Sequence, residues 1–270
     1  MLEHAVRLPS FRQTLVALDS PRSPSAHDAP GHVAEAAADI TIRPLESLPE
    51  FKAAVALQKD VWGADFDDAI PSALLQVVSH IGGIIAGAFT PDAELVGFVF
   101  GLTGTRNGQT IHWSHALGVR ESARNAGVGR MLKEYHRAEL ARRGIDTLYW
   151  TFDPLMAKNA HFNLNRLGAR VVEYVENMYG TTGSPLHHGL ATDRLVVSWS
   201  TAPTAARPAA PATLDGDEAR ALPVLTPEPH DGDVLARIDS AERPPVLRIE
   251  VPADIQRVTV PAIIARWHAA

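Results

Sequence analysis

The sequence predicts a mixed α/β protein built on one mostly antiparallel sheet with helices on both faces. Three observations carry this. Two apolar runs, Ile84–Phe89 and Leu95–Phe100, flank the turn segment Thr90-Pro91-Asp92-Ala93-Glu94 and read as a hairpin. A strand–helix–strand unit follows, with strands at Ile111–Val119 and Thr147–Phe152 and a helix between them closed by Gly144. At 270 residues and 46% hydrophobic, the chain can bury a sizeable core.

The elements follow in order. Residues 1–38 form an expected mobile leader, because Asp19 to Ala38 is Ser, Pro, Ala, Asp and His with almost no bulky apolar residue. Residues 39–200 form the main domain. It opens on a short strand at Thr41–Leu45. Phe51, Val55 and Val61 predict a helix over Leu48–Trp62, and Leu74, Leu75, Val77 and Val78 predict another over Ser72–His80, with Pro71 suited to its first turn. Between these helices lies the acidic and aromatic Asp65-Phe66-Asp67-Asp68. A second turn falls at Gly104–Gly108. Met156, Ala160, Leu164 and Leu167 mark a short helix closed by Gly168, and Arg170–Met178 and Arg194–Trp199 read as a last pair of strands. Residues 201–235 are an Ala/Pro-rich linker, and 236–270 a small C-terminal appendage whose Val246–Val251 alternates like one strand.

Composition excludes several classes. A net charge of −6 with no basic stripe argues against a nucleic-acid partner. The absence of cysteine removes disulfides, thiolate metal sites and a cysteinyl acyl-enzyme. No metal site is expected: His187 and His188 are adjacent, and His112 and His115 lack the alternate spacing of strand ligands. No apolar run is long enough to span a membrane, and Asp19 closes Leu15-Val16-Ala17-Leu18 before it becomes a signal core. A soluble, cytoplasmic protein is expected; its oligomeric state is left open.

The chemistry concentrates between Leu117 and Leu132. Strand residues ending at Val119 lead into Arg124-Asn125-Ala126-Gly127-Val128-Gly129, an Arg-x-x-Gly-x-Gly run. Val128, Met131, Leu132, Tyr135 and Ala138 fall at helical spacing, so a helix starts within the glycines. The first amides of a helix have no internal partners and carry the positive end of the macrodipole. Two glycines leave them uncovered, so a diphosphate can dock there, with Arg124 or Arg130 adding charge. A P-loop would need Lys-Ser/Thr, and a dinucleotide-binding turn would need one more leading glycine.

Taken with this order of elements, Leu117–Leu132 resembles the acyl-CoA signature of the GNAT superfamily of N-acyltransferases, and the resemblance runs from about Ile40 to Ser200. It implies acetyl-CoA or another acyl-CoA as co-substrate, with its pyrophosphate on the amides of Ala126, Gly127, Val128, Gly129 and Arg130. It implies that the two central strands part, and that the pantetheine arm pairs with backbone at Leu117, Gly118 and Val119. Asn159 and Phe162, in Asn159-Ala160-His161-Phe162-Asn163, are carried over as coenzyme contacts. The sequence departs from the family at two places. The family's Glu falls on Trp113, which leaves His115, two residues on and on the same strand face, as the preferred base, with His112 and then Glu121 behind it. The family's Tyr falls on Leu164, so Tyr174 or Tyr179 substitutes by residue type alone. Trp150-Thr151-Phe152-Asp153-Pro154 resembles a branch associated with N-acylation of amino acids, including succinyl transfer. The expected activity is direct transfer to a small amine or amino acid. Protein N-acetylation and a catalytically silent acyl-CoA-binding module are the alternatives.

Overall fold

The computed structural model describes residues 39–202 apart from 65, 67 and 181–191. The expected leader, nearly all of the linker and the C-terminal appendage lie outside the described residues. The elements are β1 (Thr41–Pro44), α1 (Leu48–Trp62), α2 (Ser72–His80), β2 (Ile84–Phe89), β3 (Leu95–Arg106) and β4 (Gln109–Val119), a 3-10 turn (Glu121–Ala123), then α3 (Val128–Arg142) and β5 (Thr147–Phe152). A short α4 (Ala157–Ala160) runs into a π-helical turn (His161–Arg166), and β6 (Arg170–Val175) and β7 (Arg194–Ser200) complete the sheet.

Local chemistry accounts for most of these boundaries. Ser47 caps α1 in a reciprocal box with Glu50. The β3–β4 turn is tighter than the sequence suggested: strand pairing continues to Arg106↔Gln109, and Asn107 and Gly108 alone make the reversal, at φ 53° and 75°. Two consecutive left-handed residues match the twist of the flanking strands, and Asn-Gly supplies them at low cost. β6 stops at Val175, short of the expected Met178.

The seven strands run in the order β1-β2-β3-β4-β5-β7-β6, and every neighbouring pair is antiparallel except β4 and β5. α1 and α2 pack on one face, over Leu45, Ile85, Phe89, Phe98 and Phe100. α3 packs on the other, with Val128 and Leu132 against Ala86, Ala88 and Val99. A third cluster joins Leu140 of α3 and Ala160 of α4 to Trp150, Phe152, Val197 and Trp199. The mixed sheet with helices on both faces is therefore the observed fold. The buried stripe of α3 differs from the expected one. Val128, Leu132, Lys133, His136 and Leu140 are buried, whereas Ala138 is exposed.

Candidate functional site

The site begins where β4 ends. Ala123 N–H donates to the Arg120 carbonyl and Arg124 N–H to that of Glu121, closing the 3-10 turn. Asn125 and Gly127 then take left-handed conformations, φ 67° and 81°. The first helical bond of α3 is Met131 N–H to the Gly127 carbonyl, 3.0 Å. Among the described residues, the amides of Ala126, Gly127, Val128, Gly129 and Arg130 donate to no backbone carbonyl, and no side chain caps the helix. Left-handed residues followed by a bare helix start form a concavity of N–H groups suited to an anion.

The two glycines differ in their reasons. Gly127 is required by its own backbone, since φ 81° is costly for a residue with a Cβ. Gly129 has no such demand. A Cβ there would meet Leu117, Phe162 and Val119 at 3.8–4.0 Å, ordinary contact distances. Nothing in the chain's packing forbids a side chain at 129, so the bare surface is available to a ligand. The same contacts bring the predicted residues Leu117, Val119, Gly129 and Phe162 together. Gly118 is set by packing, because a Cβ there would press on Phe98 and Leu57. Of the two arginines, Arg124 folds back so that its Nε donates to the Val119 carbonyl at 3.3 Å. Arg130 lies 3.8 Å from Glu134, one turn along α3.

The central strands part beside this loop. β4 and β5 pair only at His112↔Leu148 and Trp113↔Tyr149, while β4 stays paired with β3 as far as Val119. From Ser114 onward the β5-facing edge of β4 has no strand partner among the described residues. A β-bulge sits at the parting: Phe100 pairs with Ala116 and Gly101 with Ser114, leaving His115 as the extra residue. Bulges re-aim side chains and leave backbone groups unspent.

His115 projects on the α1/α2 face, its ring edge-on to Phe100 with centroids 6.0 Å apart. It is exposed. Partial desolvation lowers its pKa from the ordinary value, and the Asp68 charge works in the opposite direction. An imidazole so placed is neutral at pH 7 and able to accept a proton.

His112 is placed otherwise. It is fully buried on the α3 face, its Nδ1 2.9 Å from Thr103 Oγ1 and its Nε2 2.8 Å from His136 Nε2. Burial, with the charges of Arg143 and Lys133, drives its pKa down to about 4. Both ring nitrogens are engaged, so the second candidate base is sealed from any acceptor. Tyr174 is not brought to the split either. It lies on β6, at the far edge of the sheet with β5 and β7 between it and β4, and its hydroxyl donates to the Asp193 carboxylate. Burial and that hydrogen bond raise its pKa. Tyr179 instead reaches Thr151 Oγ1 of β5, at 3.2 Å. Glu121 is exposed in the 3-10 turn.

Asn159 is exposed, and its part in the brace is its carbonyl, which accepts from Asn163 Nδ2 at 2.8 Å. The brace itself is Asn163, buried, whose Oδ1 accepts from Trp150 Nε1 at 2.8 Å. Asn163 lies in the π-helical turn and is buried, whereas Asn159, carried over by resemblance as a coenzyme contact, is exposed four residues earlier.

Sequence reasoning missed one group altogether. Lys133 is 4% exposed, yet its Nζ donates to Ser114 Oγ at 3.0 Å and lies 4.0 Å from the centroid of the Trp150 ring. It bridges β4 and β5 at the first residues beyond their last pair. Its signal was the helical spacing Gly129–Lys133–His136, which shares one face, but a lysine in that row reads as solvent-facing. Among the described residues, no cluster of metal-ligating side chains is assembled, and no helix is long and apolar enough to cross a membrane.

No family model matches the sequence, and no curated protein matches it as a relative. Solved structures of acetyltransferases are similar to part of the chain. One is the ribosomal-protein-S18-alanine N-acetyltransferase of Escherichia coli, 20% identical over 60% of this chain and 94% of its own, TM-score 0.45. Another is an acetyltransferase of the GNAT family from Streptococcus pneumoniae, 16% identical over 60% of this chain and 99% of its own, TM-score 0.49. A third is a putative acetyltransferase from Salmonella typhimurium solved with its cofactor acetyl-CoA, 16% identical over 63% of this chain and 99% of its own, TM-score 0.47.

Proposed function

We propose that residues 39–202 form an acyl-CoA-dependent N-acyltransferase of the GNAT type. One observation carries the reading: five consecutive amides, Ala126 to Arg130, lie unspent around a bare Gly129 at the mouth of a parted strand pair. These amides would hold the diphosphate of coenzyme A, with Arg124 at the rim. The open edge of β4 at Leu117–Val119 would pair with the pantetheine arm, and Phe162 would lie along it. When bound, acyl-CoA supplies the activated acyl group.

The chain's own residues supply the rest. His115 takes the proton of the acceptor ammonium, so that a neutral amine attacks within a ternary complex. The bulge at His115 leaves a backbone N–H to meet the developing oxyanion. Asp68, close enough to bias His115, favours a cationic acceptor. The acceptor we infer is a small amine or amino acid, the donor acetyl- or succinyl-CoA, and the compartment the cytoplasm, where acyl-CoA is available.

Gly129→Val is the direct test. The added Cβ meets only ordinary contacts, and a folded variant covers the amides. Calorimetric affinity for coenzyme A should fall by about tenfold or more, about 1.4 kcal/mol. Unchanged affinity in the folded variant would remove the basis of this reading. Free thiol released from acetyl-CoA and a pool of amines separates an enzyme from a silent binding module.

A further inference from the structure

The buried amine of Lys133 is not used by the reaction proposed above, and its surroundings are unusual for a lysine. It stands one helical turn from Gly129 on the same face of α3, about 6 Å along the axis. Its Nζ lies at Ser114 and Trp150, where β4 and β5 have just parted. No carboxylate among the described residues pairs with it. The Trp150 ring offsets part of the cost of a buried ammonium, but an apolar side chain of similar length would fill the same space without that cost. A structural role alone therefore accounts poorly for an amine at this position.

We propose that Lys133 is a self-acylation site: its amine accepts the acyl group of an acyl-CoA held on the Ala126–Arg130 amides. The inference rests on the acyl-CoA reading above. Burial lowers the pKa of Lys133 to about 7, so a substantial share of the amine is neutral and nucleophilic at neutral pH. Its donation to Ser114 Oγ at 3.0 Å holds the amine at the vertex of the split. The neutral Nζ attacks the thioester carbonyl carbon; the C–N bond forms as the C–S bond breaks. Coenzyme A leaves as the thiolate and takes up the proton released from nitrogen, giving free thiol and an Nζ-acyl-lysine with no further reactant. The product amide keeps an N–H for Ser114 and no longer carries a charge that must be buried. It also occupies the vertex of the split, so self-acylation limits turnover.

The chain offers built-in controls, because it has only four lysines, and Lys52, Lys59 and Lys158 are exposed. The full-length protein is incubated with acetyl-CoA and each lysine is followed by peptide mass spectrometry. Lys133 should be acetylated faster than any exposed lysine, by about tenfold or more, as proximity to bound thioester dictates. Acetic anhydride, which needs no binding loop, should give the reverse order. Gly129→Val should abolish the preference for Lys133 with acetyl-CoA and leave the anhydride pattern unchanged. In Lys133→Arg the fast mass increment should vanish; should that variant not fold, the two-reagent comparison in wild type and Gly129→Val decides alone. If calorimetry shows acetyl-CoA bound while Lys133 stays unmodified, or is modified no faster than Lys52, Lys59 and Lys158, self-acylation is refuted and the acyl-CoA reading stands. If acetyl-CoA does not bind, both fall.

Discussion

His112 and His115 stand three residues apart on β4 and live in opposite surroundings. His112 faces α3 in a sealed polar network. Its ring is wedged against that of His136, with centroids 4.7 Å apart, and the fit depends on Gly101, where a Cβ would collide with both imidazoles. His136 Nδ1 has no partner at all among the described residues. His115 faces the other way, at a bulge, at the edge of an opening, with the edge of Phe100 beside it. One residue type thus serves two ends. Where both nitrogens are engaged and water is excluded, an imidazole fixes geometry. Where one nitrogen is free beside a cleft, it can move a proton.

That contrast should break most visibly in turnover. His115→Ala should lower kcat for acetyl transfer by about a hundredfold, the usual size of a lost general base, with coenzyme affinity nearly unchanged. Full turnover in that variant, with the wild-type pH profile, would make the residue structural and leave an ordered water or Glu121 to take the proton.

The converse variant should behave in the opposite way. His112→Ala should cost about 2 kcal/mol of stability, from a cavity and from polar groups left unpaired at Thr103 and His136. Its kcat per folded molecule should stay close to wild type. The pH dependence gives an independent check. The folded pKa of His112 lies at about 4 against an ordinary 6.5, so its contribution to stability is fully present above pH 6.5. It is lost as pH falls from 6.5 towards 4, because the unfolded chain takes up the proton first. His136, held low by burial and by the charges of His112, Lys133 and Arg143, adds to the same trend. His112→Ala should flatten this acid limb of melting temperature against pH. A limb as steep as wild type would place its origin elsewhere.

The legible and illegible parts of the molecule divide along the same strand. Local chemistry announces itself: α1, α2 and β5 have the bounds their periodicity predicts, and α3 starts inside the glycine run because no other register aligns Val128 and Leu132. What was hidden depends on tertiary partners. The bulge puts two consecutive residues, His115 and Ala116, on one face, which alternation cannot reveal. The pairing of β7 between β5 and β6 carries Tyr174 away from the split, and no local pattern encodes that strand order. Nor does local pattern show that Asn163, four residues on from Asn159, is the one that meets Trp150 across from it. Lys133 and His136 complete a buried stripe that reads as polar, and so as solvated, until the parted strands above it are seen.

The smallest expected effect tests what sets His115 apart from an ordinary exposed histidine. Two influences act on it: desolvation, which lowers its pKa, and the Asp68 charge from the α1–α2 loop, which opposes that. Desolvation dominates, so the acid limb of kcat/KM should fall below the ordinary histidine value of 6.5. Asp68→Asn removes the opposing charge and leaves the packing against Phe100 in place. The limb should then move to still lower pH, by no more than about half a pH unit, because Asp68 is exposed and screened. Raising the salt concentration in wild type should shift the limb the same way and should have little further effect on Asp68→Asn. A shift to higher pH would contradict an opposing Asp68 charge and place the limb's origin in a change of His115's solvation. No shift in the variant or with salt would separate His115 from the acidic loop, and with it the preference for a cationic acceptor.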